Sequence, residues 1–183
     1  TYNGESDAFI SKLSPDGQNL IFSTYFGGLK SENYCLTKTD NLDNIYLAGT
    51  TSSLNLPVKD GYSMVFNGGS EDVFLSKFTP AGDTLISSTY FGGSELDYIR
   101  GLDIDSANCV YVAGVTGSPN LTFQYSINRS PLGEGDVFLI KFEPELQSIV
   151  FGTYWGGMYL EDCSDLLVLD DGNAFITGYS YSP

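Results

Sequence analysis

The sequence predicts an all-β protein built from one four-stranded antiparallel unit written three times. Short runs of β-branched and aromatic residues alternate with Gly, Asp, Asn and Pro, no run has helical periodicity, and the text recurs at a nearly fixed period. "STYFGG" at 23–28 returns at 88–93 and again as "GTYWGG" at 152–157, so that 65 residues separate Thr24 from Thr89 and 64 separate Thr89 from Thr153. "DAFISKLSP", "DVFLSKFTP" and "DVFLIKFEP" recur from Asp7, Asp72 and Asp136, and "NIYLAG", "CVYVAG" and "AFITG" end at Gly49, Gly114 and Gly178. The whole of 1–183 is therefore one repeat array, with units 7–71, 72–135 and 136–183, the last truncated.

Within the second unit the strands are expected at 73–78, 84–91, 98–105 and 109–116. "SPDGQ" and "TPAGD" place Pro and then Gly as a tight turn requires, and "DSAN" and "DDGN" read as Asx-type hairpin turns. "KTDNLDN" and "IDSANC" lack the Gly that "LDDGN" keeps, which weakens the turn fit there. A four-stranded antiparallel unit with a period of tens of residues reads as a β-propeller blade.

"DAFISKLSPDGQNLIFSTYFGG" followed by "IYLAGTTSS" resembles the SBBP family of β-propeller repeats of large bacterial and archaeal surface or secreted proteins, over essentially all of the chain. The resemblance implies that a blade starts near Tyr34, with its innermost strand before the "DxxGN" turn. In that order the chain holds two outer strands (about 7–28), two complete blades (about 34–93 and 98–157) and two inner strands (about 163–179). The ends are complementary half blades, and open strand edges of this kind call for cover. Closure within one chain, exchange between two chains into a six-bladed ring, head-to-tail polymerisation, and neighbouring repeats of a longer parent all remain open. The chain ends fall within the longest loop, and with Thr as its first residue the chain is expected to be a piece of something longer.

The 23 acidic and 8 basic residues give a net charge of −15, which argues against nucleic acid and anionic membrane surfaces as partners. No apolar run approaches the length of a membrane-spanning helix, so membrane insertion is not expected. The chain has no histidine, which removes the commonest general base and metal ligand. Any enzyme reading rests on the recurring acids Asp7, Asp72 and Asp136 and Glu32, Asp97 and Glu161. A glycosidase needs two carboxyls in unlike environments, whereas residues repeated in every unit share an environment, so these acids are expected to cap turns and no catalytic residue is assigned. No cofactor is expected. Calcium is the one ion the acidity suits, but "DIDSAN" has Asn108 and Gly114 where an EF-type loop from Asp103 needs Gly and Glu, so Asp103 and Asp105 read as a strand end and its turn.

Lys12, Lys77 and Lys141 share one repeat position and are expected to lay their stems over apolar neighbours with the head on a carboxylate. Cys35, Cys109 and Cys163 share none and are expected to be small buried free thiols, with a cross-repeat or interchain disulfide as the alternative. "NLT" at Asn120 and "NRS" at Asn128 are glycosylation candidates in a long polar connection, and "TTSSLNLP" offers hydroxyls for O-linked sugars. The strand-end positions Tyr25, Phe26, Gly27 and Gly28, with Tyr90, Phe91, Gly92 and Gly93 and with Tyr154, Trp155, Gly156 and Gly157, are expected to supply aromatic packing between sheets and then a sharp turn. The function expected is a non-enzymatic, extracellular or cell-surface structural or adhesive segment, a self-assembling and filament-forming glycoprotein whose partners are itself or neighbouring repeats. The alternatives are a lectin-like glycan binder using loops such as "FQYS" and "GYSMVF" and, more weakly, a carboxylate-based glycosidase.

Overall fold

The computed structural model describes residues 2–123, 126, 133 and 135–183. Its twelve strands are β1 (Ala8–Leu13), β2 (Leu20–Phe26), β3 (Glu32–Thr39), β4 (Ile45–Thr51), β5 (Asp72–Phe78), β6 (Leu85–Phe91), β7 (Asp97–Ile104), β8 (Val110–Thr116), β9 (Asp136–Phe142), β10 (Ile149–Trp155), β11 (Glu161–Val168) and β12 (Ala174–Ser180), and there is no helix among the described residues. They form four antiparallel sheets, ordered β1-β2, β3-β4-β5-β6, β7-β8-β9-β10 and β11-β12, here called the first to the fourth. The two-four-four-two grouping matches the strand grouping read from the sequence. Contacts between sheets run from β1 to β3, from β3, β4 and β5 to β7, and from β7, β8 and β9 to β11. The sheets thus stand in a row, and no closed barrel forms among the described residues.

Turn chemistry sets the strand boundaries. Gly17 and Gly82 take the left-handed backbone in the first hairpin of their units, with φ of 70° for both. The equivalent residue of the third unit is Leu146, also left-handed at φ 62°. A branched side chain there costs roughly 1–2 kcal/mol, and Leu146 offsets that cost by being fully buried in the central core. In the second hairpin Gly172 has φ 85°, and the units that lack this Gly place Asp43 (φ 62°) and Asn108 (φ 64°) there. Asp and Asn tolerate this conformation, so the register survives the missing glycine.

Each complete sheet is covered on both faces. Phe26, Ala8 and Ile10 of the first sheet pack on Ile45, Leu47, Phe74 and Phe78 of the second. On its other side, Tyr46, Ala48, Val73 and Leu75 meet Ile99, Leu102, Val112, Phe138 and Ile140 of the third. Tyr111, Ala113 and Val137 then meet Cys163, Leu166 and Val168 of the fourth. Burial on two sides explains why β4, β5 and β8 are buried at every residue, while β2 and β12 are largely exposed.

Lys77 lies 5.2 Å from the centre of the Tyr46 ring and donates to the Pro144 carbonyl at 3.0 Å, so it ties the second sheet to the third. Lys141 lies 4.8 Å from the Tyr111 ring and donates to Asp105 at 2.8 Å, whereas Lys12 is exposed. The cysteines are free. Cys163 is buried and Cys109 half-buried, but Cys35 is exposed, against expectation, because it falls in the bulge between Asn33 and Leu36 on β3, the edge strand of its sheet.

The Tyr90 hydroxyl donates to the Ser53 carbonyl at 2.9 Å and accepts from the Leu56 N–H at 2.9 Å, pinning the loop that follows β4. Tyr154 repeats the arrangement on Ser118 and Leu121 after β8, at 3.1 and 3.0 Å. Tyr90→Phe strands a buried N–H and C=O together, so it should destabilise the chain by about 1–3 kcal/mol in urea unfolding. Tyr25→Phe, at an exposed tyrosine, should leave the midpoint unchanged.

Candidate functional site: the glycine junctions and the two open sheet edges

The recurring motif residues meet at the junction between successive sheets. A Cβ placed on Gly92 would lie 2.3 Å from Asp72 Oδ1 and 3.0 Å from Asp97 Oδ2. Gly27 stands the same way between Asp7 and Glu32, and Gly156 between Asp136 and Glu161. The first glycine of each pair is therefore fixed by two converging carboxylates, one at the start of the strand that pairs with the glycine's own strand and one opening the first strand of the next sheet. The second glycine makes room for a serine, since Cβ atoms on Gly28, Gly93 and Gly157 would lie 2.4 to 2.6 Å from Ser53, Ser118 and Ser182 Cβ.

One carboxylate of each pair gathers hydrogen bonds. Glu32 accepts from the Gly28 N–H at 3.0 Å and the Thr51 hydroxyl at 2.7 Å. Asp97 accepts from the Gly93 N–H at 2.6 Å, the Ser118 hydroxyl at 2.8 Å and the Thr116 hydroxyl. Glu161 accepts from the Gly157 N–H and the Ser180 hydroxyl, both at 2.8 Å. The serine hydroxyls in turn accept from the turn amides of Lys30, Glu95 and Tyr159, each at 2.9 Å. The signal for this network was present in the sequence as Thr/Ser-x-Ser at 51–53, 116–118 and 180–182, spaced like the glycines, but was read only as loop.

The other carboxylate of each pair takes N–H donors from the chain just before it. Asp7 accepts from the Asn3 and Gly4 N–H groups, and Asp136 from the Gly133 N–H at 3.2 Å. Asp72 accepts from the Asn67 N–H at 2.6 Å on Oδ2, while its buried Oδ1 has no partner. Burial, reinforced by the nearby Asp97 charge, pushes the Asp72 carboxyl up to about 7. Burial also raises Asp97, against its hydrogen bonds.

Asp103 and Asp105 lie apart from these junctions. Asp105 accepts from the Ala107 and Cys109 N–H groups and from Lys141, and Asp103 from the Val168 N–H at 2.7 Å. Among the described residues no group of three or more acids, cysteines or histidines is placed to hold a metal. Asn120 is exposed, and its side-chain carbonyl accepts from the Ser94 N–H at 2.9 Å, as Asn55 does from Leu29 at 3.0 Å. A sequon asparagine thus has a turn-holding task of its own. Asn128 and most of "FQYS" lie outside the described residues. Thr50, Thr51 and Ser53 of "TTSSLNLP" are buried, which corrects the expectation that this loop offers its hydroxyls to sugars. "GYSMVF" runs along β6, where the Ser63 carbonyl accepts from the Tyr90 N–H at 3.0 Å, and so covers the outer edge of the second sheet.

The aromatic positions divide by place in the row. Phe26, Tyr90, Phe91 and Tyr154 are buried, but Tyr25 is 52% and Trp155 61% exposed, which corrects the expectation that all six are packed between sheets. Tyr25 has no equivalent of the loop that Tyr90 pins, because the first sheet holds two strands. Trp155 has no equivalent of Phe138 and Phe142, on which Phe91 packs, because the fourth sheet also holds two.

The same split appears at a cross-strand pair. Gly49 faces Phe74 and Gly114 faces Phe138 in the strand registers, with the rings 2.6 and 2.8 Å from where each glycine Cβ would lie. Phe74 and Phe138 are fully buried. The equivalent residues at the row's two ends are Phe9, 67% exposed on β1, and Gly178 on β12, which no phenylalanine ring covers. Beside Gly178 a cleft of about 510 Å³ is lined by Val137, Leu139, Trp155, Ile176 and Tyr179 among others.

Compared with known proteins, the chain matches no protein-family model and no curated protein.

Because Asp72 and Asp97 have no room to retreat, Gly92→Ala should destabilise the chain by roughly 1–3 kcal/mol, the usual cost of overpacking. Gly117→Ala, whose added methyl meets nothing closer than 3.5 Å, is the control and should be near neutral by the same urea titration.

Proposed function

We propose that the chain is a non-enzymatic structural or adhesive segment of a β-propeller, of the SBBP-repeat kind, that acts outside the cell and assembles with further blades or with copies of itself by strand complementation. In this reading the two four-stranded sheets are blades, the first sheet is the outer half of a blade, and the fourth is the inner half of another. The observation that carries it is the unmet pair at the ends: Phe9 exposed on β1 and Gly178 uncovered on β12, where both internal copies of that pair are closed. Placing a β1–β2 hairpin on β12 in the internal register would set Phe9 over Gly178, Asp7 beside Ser180 and Lys12 beside Phe175. The lysine contact repeats Lys77 on Tyr46 and Lys141 on Tyr111, now with Phe as the ring. Two chains joined this way at both ends make six four-stranded sheets, within the four to eight blades of closed propellers. The acidic surface favours a solubilising, extracellular setting, and Asn120 is the described candidate for a glycan.

A lectin-like reading has one observation in its favour, the cleft beside Gly178 with Trp155 and Tyr179 exposed at its rim. Strand complementation fills that same cleft, so the two readings compete for one surface.

Light scattering across a concentration series tests the proposal. A chain of 19.9 kDa should give a discrete dimer or longer polymers, and Phe9→Asp should weaken association at least tenfold while leaving the far-ultraviolet circular dichroism unchanged. A wild-type particle that stays at monomer mass up to millimolar concentration would sink strand complementation. Saturable binding of a glycan by that monomer would turn the reading to the lectin.

A further inference from the structure

Asp72 and Asp97 form a buried acid pair that the assembly reading does not use. Both residues are fully buried, and Asp72 Oδ1 and Asp97 Oδ2 lie within 2.3 and 3.0 Å of one point beside Gly92. The two carboxylates differ in supply. Asp97 takes one N–H and two hydroxyl donors, which suits an anion, while Asp72 is served by Asn67 alone, with the N–H on Oδ2, and its Oδ1, which crowds the same Gly92 Cβ position as Asp97 Oδ2, has no donor.

The surrounding charges make the deficit worse. Asp97 and Glu95 face the pair from β7 and the turn before it, Glu71 precedes Asp72 in the chain, and Glu32 and the Tyr90 hydroxyl stand at the same end of the second sheet. Among the described residues no ion pair reaches Asp72 or Asp97; those present are made with Asp40, Asp103, Asp105 and Asp162. Two buried carboxylates that share a site favour a proton or a cation on one of them. The geometry favours the proton, because Asp97 already spends its oxygens on three donors and, among the described residues, no third acid, cysteine or histidine joins the pair to hold a metal.

We infer that the junction between the second and third sheets is a proton-binding site, in which Asp72 is protonated on Oδ1 and donates to Asp97 Oδ2. The proton turns Asp72 Oδ1 from an acceptor without a partner into a donor and removes one of the two like charges, so it fastens β5 of one sheet to β7 of the next. The raised Asp72 carboxyl, at about 7 against 3.8 for a free aspartate, agrees with this. Between those values the folded chain holds a proton that the unfolded chain releases. Stability therefore falls as pH rises through that window and levels off above it. The site lies inside the row of sheets, so it stands or falls independently of how the chain assembles.

Urea unfolding of the full chain and of Asp72→Asn at pH 5 to 9 tests the inference, since the amide keeps a donor but cannot ionise. The wild-type unfolding equilibrium constant should rise by up to about tenfold per pH unit between pH 5 and 7, relative to that of Asp72→Asn, which should be the more stable protein at pH 8.5. Parallel pH profiles for the two proteins would overturn the proton site. So would a wild-type midpoint at pH 8.5 that calcium raises and chelation lowers, an effect absent from Asp72→Asn, because a cation would then occupy the pair. If Asp72→Asn does not fold, the wild-type Asp72 carboxyl carbon followed by NMR decides: a titration midpoint near 7 supports the site, and one near 4 overturns it.

Discussion

A four-stranded sheet of this composition has two apolar faces, and it is stable only when both are covered. No single repeat meets that requirement, because one sheet cannot face itself. The row of sheets is the solution, and the three core clusters are its interfaces, each built from residues of two successive sheets. At about 25 cal/mol for each Å² of apolar surface removed from water, such interfaces supply most of the stabilisation. The exposure of Phe9, Tyr25, Trp155 and Phe175 at the row's ends has the same origin, since these are ordinary core positions whose cover is absent.

The glycine junctions then fix how closely the sheets approach. Aromatic packing holds the faces together but leaves the strand ends to be tied. Glu32, Asp97 and Glu161 do so by joining the turn that leaves one sheet to the strands of the next. A carboxylate suits the task because it accepts several donors at once, and charge-assisted hydrogen bonds are the stronger kind. Bringing the second carboxylate to the same glycine makes the junction compact at an electrostatic cost, which is greatest at Asp72 where both faces are covered.

Much of this was legible in the sequence because the text repeats. Strand number, the two-four-four-two grouping and the hairpin turns follow from period and turn chemistry, and Asp43 and Asn108 kept the register where glycine was missing. What was not legible depends on position in the row. Tyr25 and Tyr90 carry the same letter at the same repeat position, yet one is in solvent and the other in the core, because a residue's cover comes from strands that its own unit does not contain. The acid pairs were hidden for a related reason. Asp72 and Asp97 were each read as turn caps, and only the fold brings two elements of the text onto opposite sides of Gly92. Leu146 in a left-handed turn breaks a local rule, as Tyr34 does at φ 51° on β3, and the core explains Leu146 after the fact.

The unit of text and the unit of structure are out of phase by half. Each complete sheet takes its first two strands from one repeat and its last two from the following one, so a boundary between repeats falls in the middle of a sheet, at the β4–β5 and β8–β9 pairings. Duplicating or deleting a whole repeat therefore adds or removes one finished sheet and leaves the two terminal half sheets as they were. The length of such an array can drift over evolutionary time without any change to the terminal half sheets proposed above as its joining surfaces, which would separate selection on reach from selection on attachment.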